Sequence, residues 1–162
     1  EIDEIINTKN GNLDGVQKDW WYGSNQLSSE VNYKDDKLNG LYKEWFKSGQ
    51  LEYEKNYTDG ELNGLQKGWF ENGQLMGEGN YINGQIDGLV RQWNENGKLI
   101  FERNFKDGKL EGLHKEWYEN GQLGLEGNYV NGQEEGLHKE WYENGQLESK
   151  LNYKDGNIIE EK

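Results

Sequence analysis

His114 and His138 are the only histidines in the chain. They lie 24 residues apart, inside two copies of one string, Gly-Leu-His-Lys-Glu-Trp-Tyr-Glu-Asn-Gly-Gln-Leu (112–123 and 136–147). Two histidines in step could hold a metal or share a proton. One metal ion, however, needs its ligand nitrogens within about 2.1 Å, whereas neighbouring units of a sheet are two strand spacings apart, roughly 9–10 Å. Other units carry Tyr42, Gln66 and Val90 at this position, which share no chemistry. Both histidines are therefore expected on the solvent face.

Carboxylates recur in register as Glu30, Glu54, Glu78, Glu102 and Glu126. A paired-carboxylate hydrolase needs two acids in different environments of one cleft, and a uniform ladder lacks that asymmetry. Lys43, Lys67, Arg91, Lys115 and Lys139 keep the same step, so the acids are expected in exposed ion pairs worth roughly 0–1 kcal/mol each. A second ladder, Asn32, Asn56, Asn80, Asn104, Asn128 and Asn152, reads as structural hydrogen bonding near a strand end, with a ligand role as the alternative. No phosphate loop, nucleophile elbow or metal-ligand spacing occurs. The expectation is no enzyme, no catalytic residue, no metal and no cofactor.

The residue after each tryptophan forms a further stripe: Tyr22, Phe46, Phe70, Tyr118 and Tyr142, interrupted by Asn94. Exposed aromatics flanked by acids suit a protein or glycan partner. The alternative is that these rings cover the back of a sheet or its hairpin tips.

Behind these residues stands a 24-residue repeat. Trp21, Trp45, Trp69, Trp93, Trp117 and Trp141 keep the step. So do Leu27, Leu51, Leu75, Leu99, Leu123 and Leu147, and also Tyr33, Tyr57, Tyr81, Phe105, Tyr129 and Tyr153. A fixed period of this size marks a repeat array, each unit packing on its neighbours. Asn72-Gly73, Asn96-Gly97, Asn120-Gly121 and Asn144-Gly145 are strong hairpin signals, with Ser48-Gly49 and Ser24-Asn25 in their place in the first two units. A second turn recurs at Asp59-Gly60, Asn83-Gly84, Asp107-Gly108, Asn131-Gly132 and Asp155-Gly156. Two turns per unit mean two strands per unit, an elongated all-β antiparallel meander of hairpins.

A three-residue loop, Glu119-Asn120-Gly121 with Gly121 left-handed, fits the apolar pattern better than a two-residue one. It is expected to put Leu113, Trp117, Leu123 and Tyr129 on one face and His114, Glu116, Gln122, Glu126 and Asn128 on the other. Gly40, Gly64, Gly88, Gly112 and Gly136 lie inside the longer strand and read as creases that fold the apolar face inward. With about 13 strands at ~4.8 Å the array would be roughly 60 Å long.

Hydrophobic residues make up 31% of the chain and the formal net charge is −13, yet seven Trp and ten Tyr at regular spacing are what a folded repeat needs. The total absence of proline fits strands paired on both sides. Without cysteine there are no disulfides or thiolate metal sites. The acidic balance disfavours nucleic acid and anionic membranes and favours a cationic protein partner. No stretch is long and apolar enough for a membrane span.

The organisation expected is one repeat domain over 1–162: a cap at 1–14, about six repeats at 15–156 and a partial unit at 157–162. Residues 1–6 are expected to supply the first edge strand. The first unit carries one extra residue between Gly15 and Trp21, where Trp20 doubles the tryptophan. Open edges make end-to-end self-association an expectation. Because Glu1 is not Met, the chain reads as a trimmed or processed product.

The string at 112–123 and 136–147, followed by Glu126, Asn128, Tyr129 and Asn131-Gly132, resembles the variant MORN repeat, found in bacterial proteins often labelled YwqK-family antitoxins. The similarity covers residues about 8 to 156. It implies an elongated β-repeat fold and a binding or scaffold role, and the antitoxin label implies neutralising a partner protein. A structural or surface spacer is the remaining alternative. An antitoxin would be cytoplasmic; a cleaved leader would place the protein outside the cytoplasm. Related repeats bind phospholipid, which the net charge here disfavours.

The periodic core expected is Trp21, Trp45, Trp69, Trp93, Trp117 and Trp141 with Leu51, Leu75, Leu99, Leu123 and Leu147, and Tyr57, Tyr81, Phe105 and Tyr129. The partner-binding stripe expected is Tyr22, Phe46, Phe70, Tyr118 and Tyr142.

Overall fold

The computed structural model describes residues 4–159. The expectations for residues 1–3 and 160–162 lie outside them. Every regular element among the described residues is a β-strand, and all pairings are antiparallel.

The chain divides into two compact units, Glu1–Gln85 and Ile86–Lys162. The first contains β1 (Glu4–Ile5), β2 (Thr8–Lys9), β3 (Asn12–Leu13), β4 (Gly15–Trp20), β5 (Leu27–Lys34), β6 (Lys37–Trp45), β7 (Leu51–Thr58), β8 (Glu61–Leu62), β9 (Gly64–Trp69) and β10 (Leu75–Ile82). Its strands lie in the order β1-β4-β5-β6-β7-β9-β10, with β8 also on β7, and β2 pairs with β3 apart from that sheet. The second unit contains β11 (Gln85–Trp93), β12 (Leu99–Lys106), β13 (Lys109–Trp117), β14 (Leu123–Val130), β15 (Gln133–Glu134), β16 (Gly136–Trp141), β17 (Leu147–Lys154) and β18 (Asn157–Ile158). Their order is β11-β12-β13-β14-β16-β17-β18, with β15 on β14. Each unit is thus an open hairpin meander.

Both turns follow from left-handed backbone that Asp, Asn and Gly tolerate. Asp59 and Gly60 have φ of 51° and 92°, the two positive values of a type I′ turn. At the other hairpin Gly121 has φ 87°, its N–H donates to Tyr118 O at 2.8 Å, and Tyr118 N–H donates to Gln122 O at 2.9 Å. The three-residue loop is the one present.

The expected facing of the side chains is not. Trp117 lies opposite Leu123, but Glu116 lies opposite Leu125, so Gly124 is an extra residue in β14. Ser28, Glu52, Met76, Ile100 and Glu148 are the same bulge in the other hairpins. One unpaired residue shifts the alternation by one. Leu113, Lys115, Trp117, Leu123, Glu126 and Asn128 therefore share one face, here the tryptophan face. His114, Glu116, Leu125 and Tyr129 share the other, the tyrosine face.

Consequently the expected core does not form one layer: Tyr57, Tyr81, Phe105 and Tyr129 sit opposite the tryptophans and leucines. Among the described residues Val31 is the one buried hydrophobic side chain, and the buried polar ones are Gln17, His114 and His138. The remaining core candidates are half-buried, apart from Trp21 and Leu147, which are exposed. The expected solvent placement of both histidines is overturned for the same reason: the bulge puts them on the tyrosine face, against Tyr129 and Tyr153.

Trp21 is exposed because the extra residue of the first repeat lies elsewhere than expected. Trp20, not Trp21, faces Leu27 as Trp45 faces Leu51. Trp21 N–H donates to Gln26 O, the role Phe46 plays toward Gln50. The insertion is taken up in the loop between them, where Tyr22 is 91% exposed.

The creases do occur at Gly40, Gly64, Gly88, Gly112 and Gly136, all with φ between 74° and 103°. In the first unit asparagines hold two of them. Asn32 Nδ2 donates to Leu41 O and Asn56 Nδ2 to Leu65 O, and a Cβ on Gly40 would stand 3.4 Å from Asn32 Cβ. Where the crease interrupts the ladder before β4, β9 and β16, a side chain fills the gap. Gln17 bonds the backbone N and O of Asn7, Gln66 those of Asn56, and His138 Nε2 lies 3.2 Å and 2.8 Å from those of Asn128. Where β6, β11 and β13 run on unbroken, the position holds Tyr42, Val90 and His114.

Candidate binding surface

The tryptophan face carries the Lys–Glu ladder between its apolar side chains. Lys18–Glu30, Lys43–Glu54 and Lys67–Glu78 are 2.7, 3.4 and 3.8 Å apart in the first unit, and Arg91–Glu102 and Lys115–Glu126 are 2.8 and 3.0 Å apart in the second. Each pair is directly opposed across a hairpin. Above each rung sits a leucine, or Val16 at the first, and below it a Trp–Leu pair. Leu65 in the first unit and Leu113 and Leu137 in the second are exposed, at 43–44%. In the second unit Leu123, Trp141, Gln122, Asn144 and Gly145 line an open depression of about 550 Å³.

The aromatic stripe lies at the hairpin shoulders. Phe46, Phe70 and Tyr118 are half-buried, and Tyr142 is exposed. Tyr118 packs over Gly124 and its hydroxyl donates to Trp141 O at 2.7 Å. By position the first member of this stripe is Trp21, whose Nε1–H donates to Trp45 O, while Tyr22 stands out in the loop.

The tyrosine face holds two charged clusters. In the first unit Lys55 Nζ lies 4.4 Å from the Tyr53 ring centroid, 5.1 Å from that of Tyr42, and 3.6 Å from Glu44. The Tyr42 hydroxyl donates to Glu44. Burial, with that carboxylate beside it, pushes the phenol of Tyr42 well up from its usual range. In the second unit Arg103 stacks over Phe101 at 4.1 Å and pairs with Glu116, while its Nε–H points at His114 Nε2, 3.1 Å away. His114 Nε2 is also 2.9 Å from Glu116, and its Nδ1 is buried without a partner. Burial lowers the imidazole's pKa, outweighing the opposing pull of Glu116. Burial alone would raise the Glu116 carboxyl, but the Arg103 guanidinium bonded to it holds it below its usual range.

Sequence reasoning missed these clusters, although Tyr53-Glu54-Lys55 and Phe101-Glu102-Arg103 carry a signal: an aromatic and a cation two apart on a strand share a face. Among the described residues no group of three His, Asp or Glu is placed to hold a metal ion.

A family model described as MORN repeat variant matches residues 38–59, 62–83, 86–107, 110–131 and 134–155, more than half of the chain. Among curated proteins no sequence matches. Among solved structures the chain is similar to a Staphylococcus aureus TarM mutant in complex with fondaparinux, α-GlcNAc-glycerol and UDP. The identity is 12% and the TM-score 0.38, over 67% of this chain and 21% of that one. The chain thus spans about a fifth of that protein's length, and at that TM-score the likeness bears on nothing further.

Proposed function

The chain belongs to the MORN repeat variant family, a repeat-built binding or scaffold module, and we propose that it is a non-enzymatic one whose tryptophan face docks a protein partner. The observation that carries this reading is Leu65 in the first unit and, in the second, Leu113 and Leu137, each exposed and each beside a charged rung (Lys67–Glu78, Lys115–Glu126 and Lys139–Lys150) and a half-buried tryptophan. Exposed apolar side chains repeated in register, rimmed by charge, are the make-up of an interface centre and its rim. The net charge of −13 favours a basic partner and fast encounter with it.

The test is affinity capture from the source organism with the native chain and with a Leu65→Ser/Leu113→Ser/Leu137→Ser variant, circular dichroism confirming that both fold. Specific capture lost in the variant is the expected result; identical capture by both would overturn the reading. Toxin neutralisation is its narrower form, and restored growth on co-expression with a toxin encoded alongside tests it.

A further inference from the structure

In the second unit Glu116, Trp117, Tyr118, Gly124, Leu125, Glu140 and Glu148 line a recess of about 310 Å³, at the small end of the ~300–1,000 Å³ range of ligand pockets. We propose that this recess receives a basic side chain, lysine or arginine, of a cationic partner protein; the inference rests on the protein-binding role proposed above and names the anchor.

The reason lies in how other hairpins treat the same place. Glu44 and Glu116 occupy equivalent positions, and each has a cation of the chain itself beside it. Lys55 stands over Tyr53 and near Glu44, and Arg103 stands over Phe101 and on Glu116. A cation against an aromatic ring with a carboxylate at its side is therefore a built-in arrangement of this face, and a favourable one. In the sixth repeat the equivalent acid is Glu140. The residue corresponding to Arg103 in the fifth repeat is Gly127 and in the sixth Leu151. Glu140 accepts a hydrogen bond from the Ser149 hydroxyl at 3.2 Å, and no cation of the described residues reaches it or Glu148. Two carboxylates without a counter-charge thus border a recess walled by Leu125 and Tyr118.

Gly124 shapes the wall. The bulge residue is Met76 or Ile100 in other hairpins, whereas over Gly124 the Tyr118 ring packs at 3.0 Å from where a Cβ would stand and so borders the recess beside Leu125. The third acid, Glu116, already stays ionised through Arg103. The place of the cation is supplied from outside.

The probe is N-acetyl-arginine amide, with N-acetyl-citrulline amide as its neutral match, titrated into the full chain while the ring signals of Tyr118 and the methyl signals of Leu125 are followed by NMR. Saturable shifts with the arginine compound, at least tenfold weaker with citrulline and in Glu140→Gln/Glu148→Gln, are expected. A Glu119→Gln/Glu143→Gln variant, which removes the same charge at exposed hairpin tips, should bind as the native chain does. Equal shifts with citrulline, or equal weakening in both variants, would overturn the recess as a cation site. Failure of the two proposals is distinguishable. Capture that depends on the exposed leucines while arginine leaves Tyr118 and Leu125 unmoved sinks the recess alone, and arginine docking without any partner capture sinks the wider reading.

Discussion

His138 sits against the backbone of Asn128, with the ring Nε2 2.8 Å from the carbonyl oxygen and 3.2 Å from the amide nitrogen, so that it serves one of the two groups that the side-chain amide of Gln66 serves together at Asn56. Imidazole and carboxamide are standing in for each other at a break in the strand ladder. His138→Gln should accordingly change stability by less than about 1 kcal/mol, whereas His138→Ala should cost about 1–3 kcal/mol by leaving a buried backbone group unpaired. Urea denaturation checks both; equal losses would refute the substitution logic.

The same ring explains a glycine. A Cβ on Gly127 would meet His138 Nδ1 at 2.3 Å, and that ring is fixed between Tyr129 and Tyr153. Gly127→Ala should therefore destabilise by about 1–3 kcal/mol. In His138→Ala the same change should be close to neutral, a coupling that a double-mutant cycle measures.

Acid should weaken the second unit through His114. Its folded pKa lies below the ordinary 6.5 because burial disfavours the charged ring. An unfolded chain takes up the proton that the folded one resists. The stability is thus complete above pH 6.5 and falls as the pH drops from there toward the lowered value. Glu116 acts lower: its stabilisation is present above the ordinary 4.5 and is lost as pH falls below that. Thermal denaturation from about pH 8 to about pH 5 should show the first loss in the native chain and a smaller one in His114→Gln; parallel curves would exclude His114 as its source.

Trp20→Ala should cost about 2 kcal/mol or more, since that ring is half-buried against Leu27. Trp21→Ala should cost about 1 kcal/mol, chiefly one hydrogen bond to Trp45 O and a partly covered ring. The reverse order in chemical denaturation would show that the insertion lies in the strand after all.

Removing one rung of the ladder, as in Lys115→Gln/Glu126→Gln, should shift stability by no more than about 1 kcal/mol, since both side chains keep roughly a third of their surface in water. High salt should erase most of the difference in denaturation midpoint.

Turns, strands, creases and the Lys–Glu pairing were legible because each has a residue type that the backbone demands, such as Gly121 at φ 87° or Asp59-Gly60 in a type I′ turn. The bulge was not, because Ser28, Glu52, Met76, Ile100, Gly124 and Glu148 share no chemistry: the residue is defined by what it fails to pair with. That one unread position carried the tyrosines to the other face and took His114 and His138 with them. The first unit misled for a related reason, since counting from either tryptophan gives a plausible period and only the partner of Leu27 decides.

The loop between Trp21 and Gln26 admits an additional residue while Trp20 and Leu27 remain opposite each other. Length is therefore absorbed at hairpin apices and leaves the phase of the strands untouched. Foreign peptides grafted at Glu71–Gly73 or Glu119–Gly121 would be displayed from a fixed scaffold, one per repeat, at intervals dictated by the ladder beneath them.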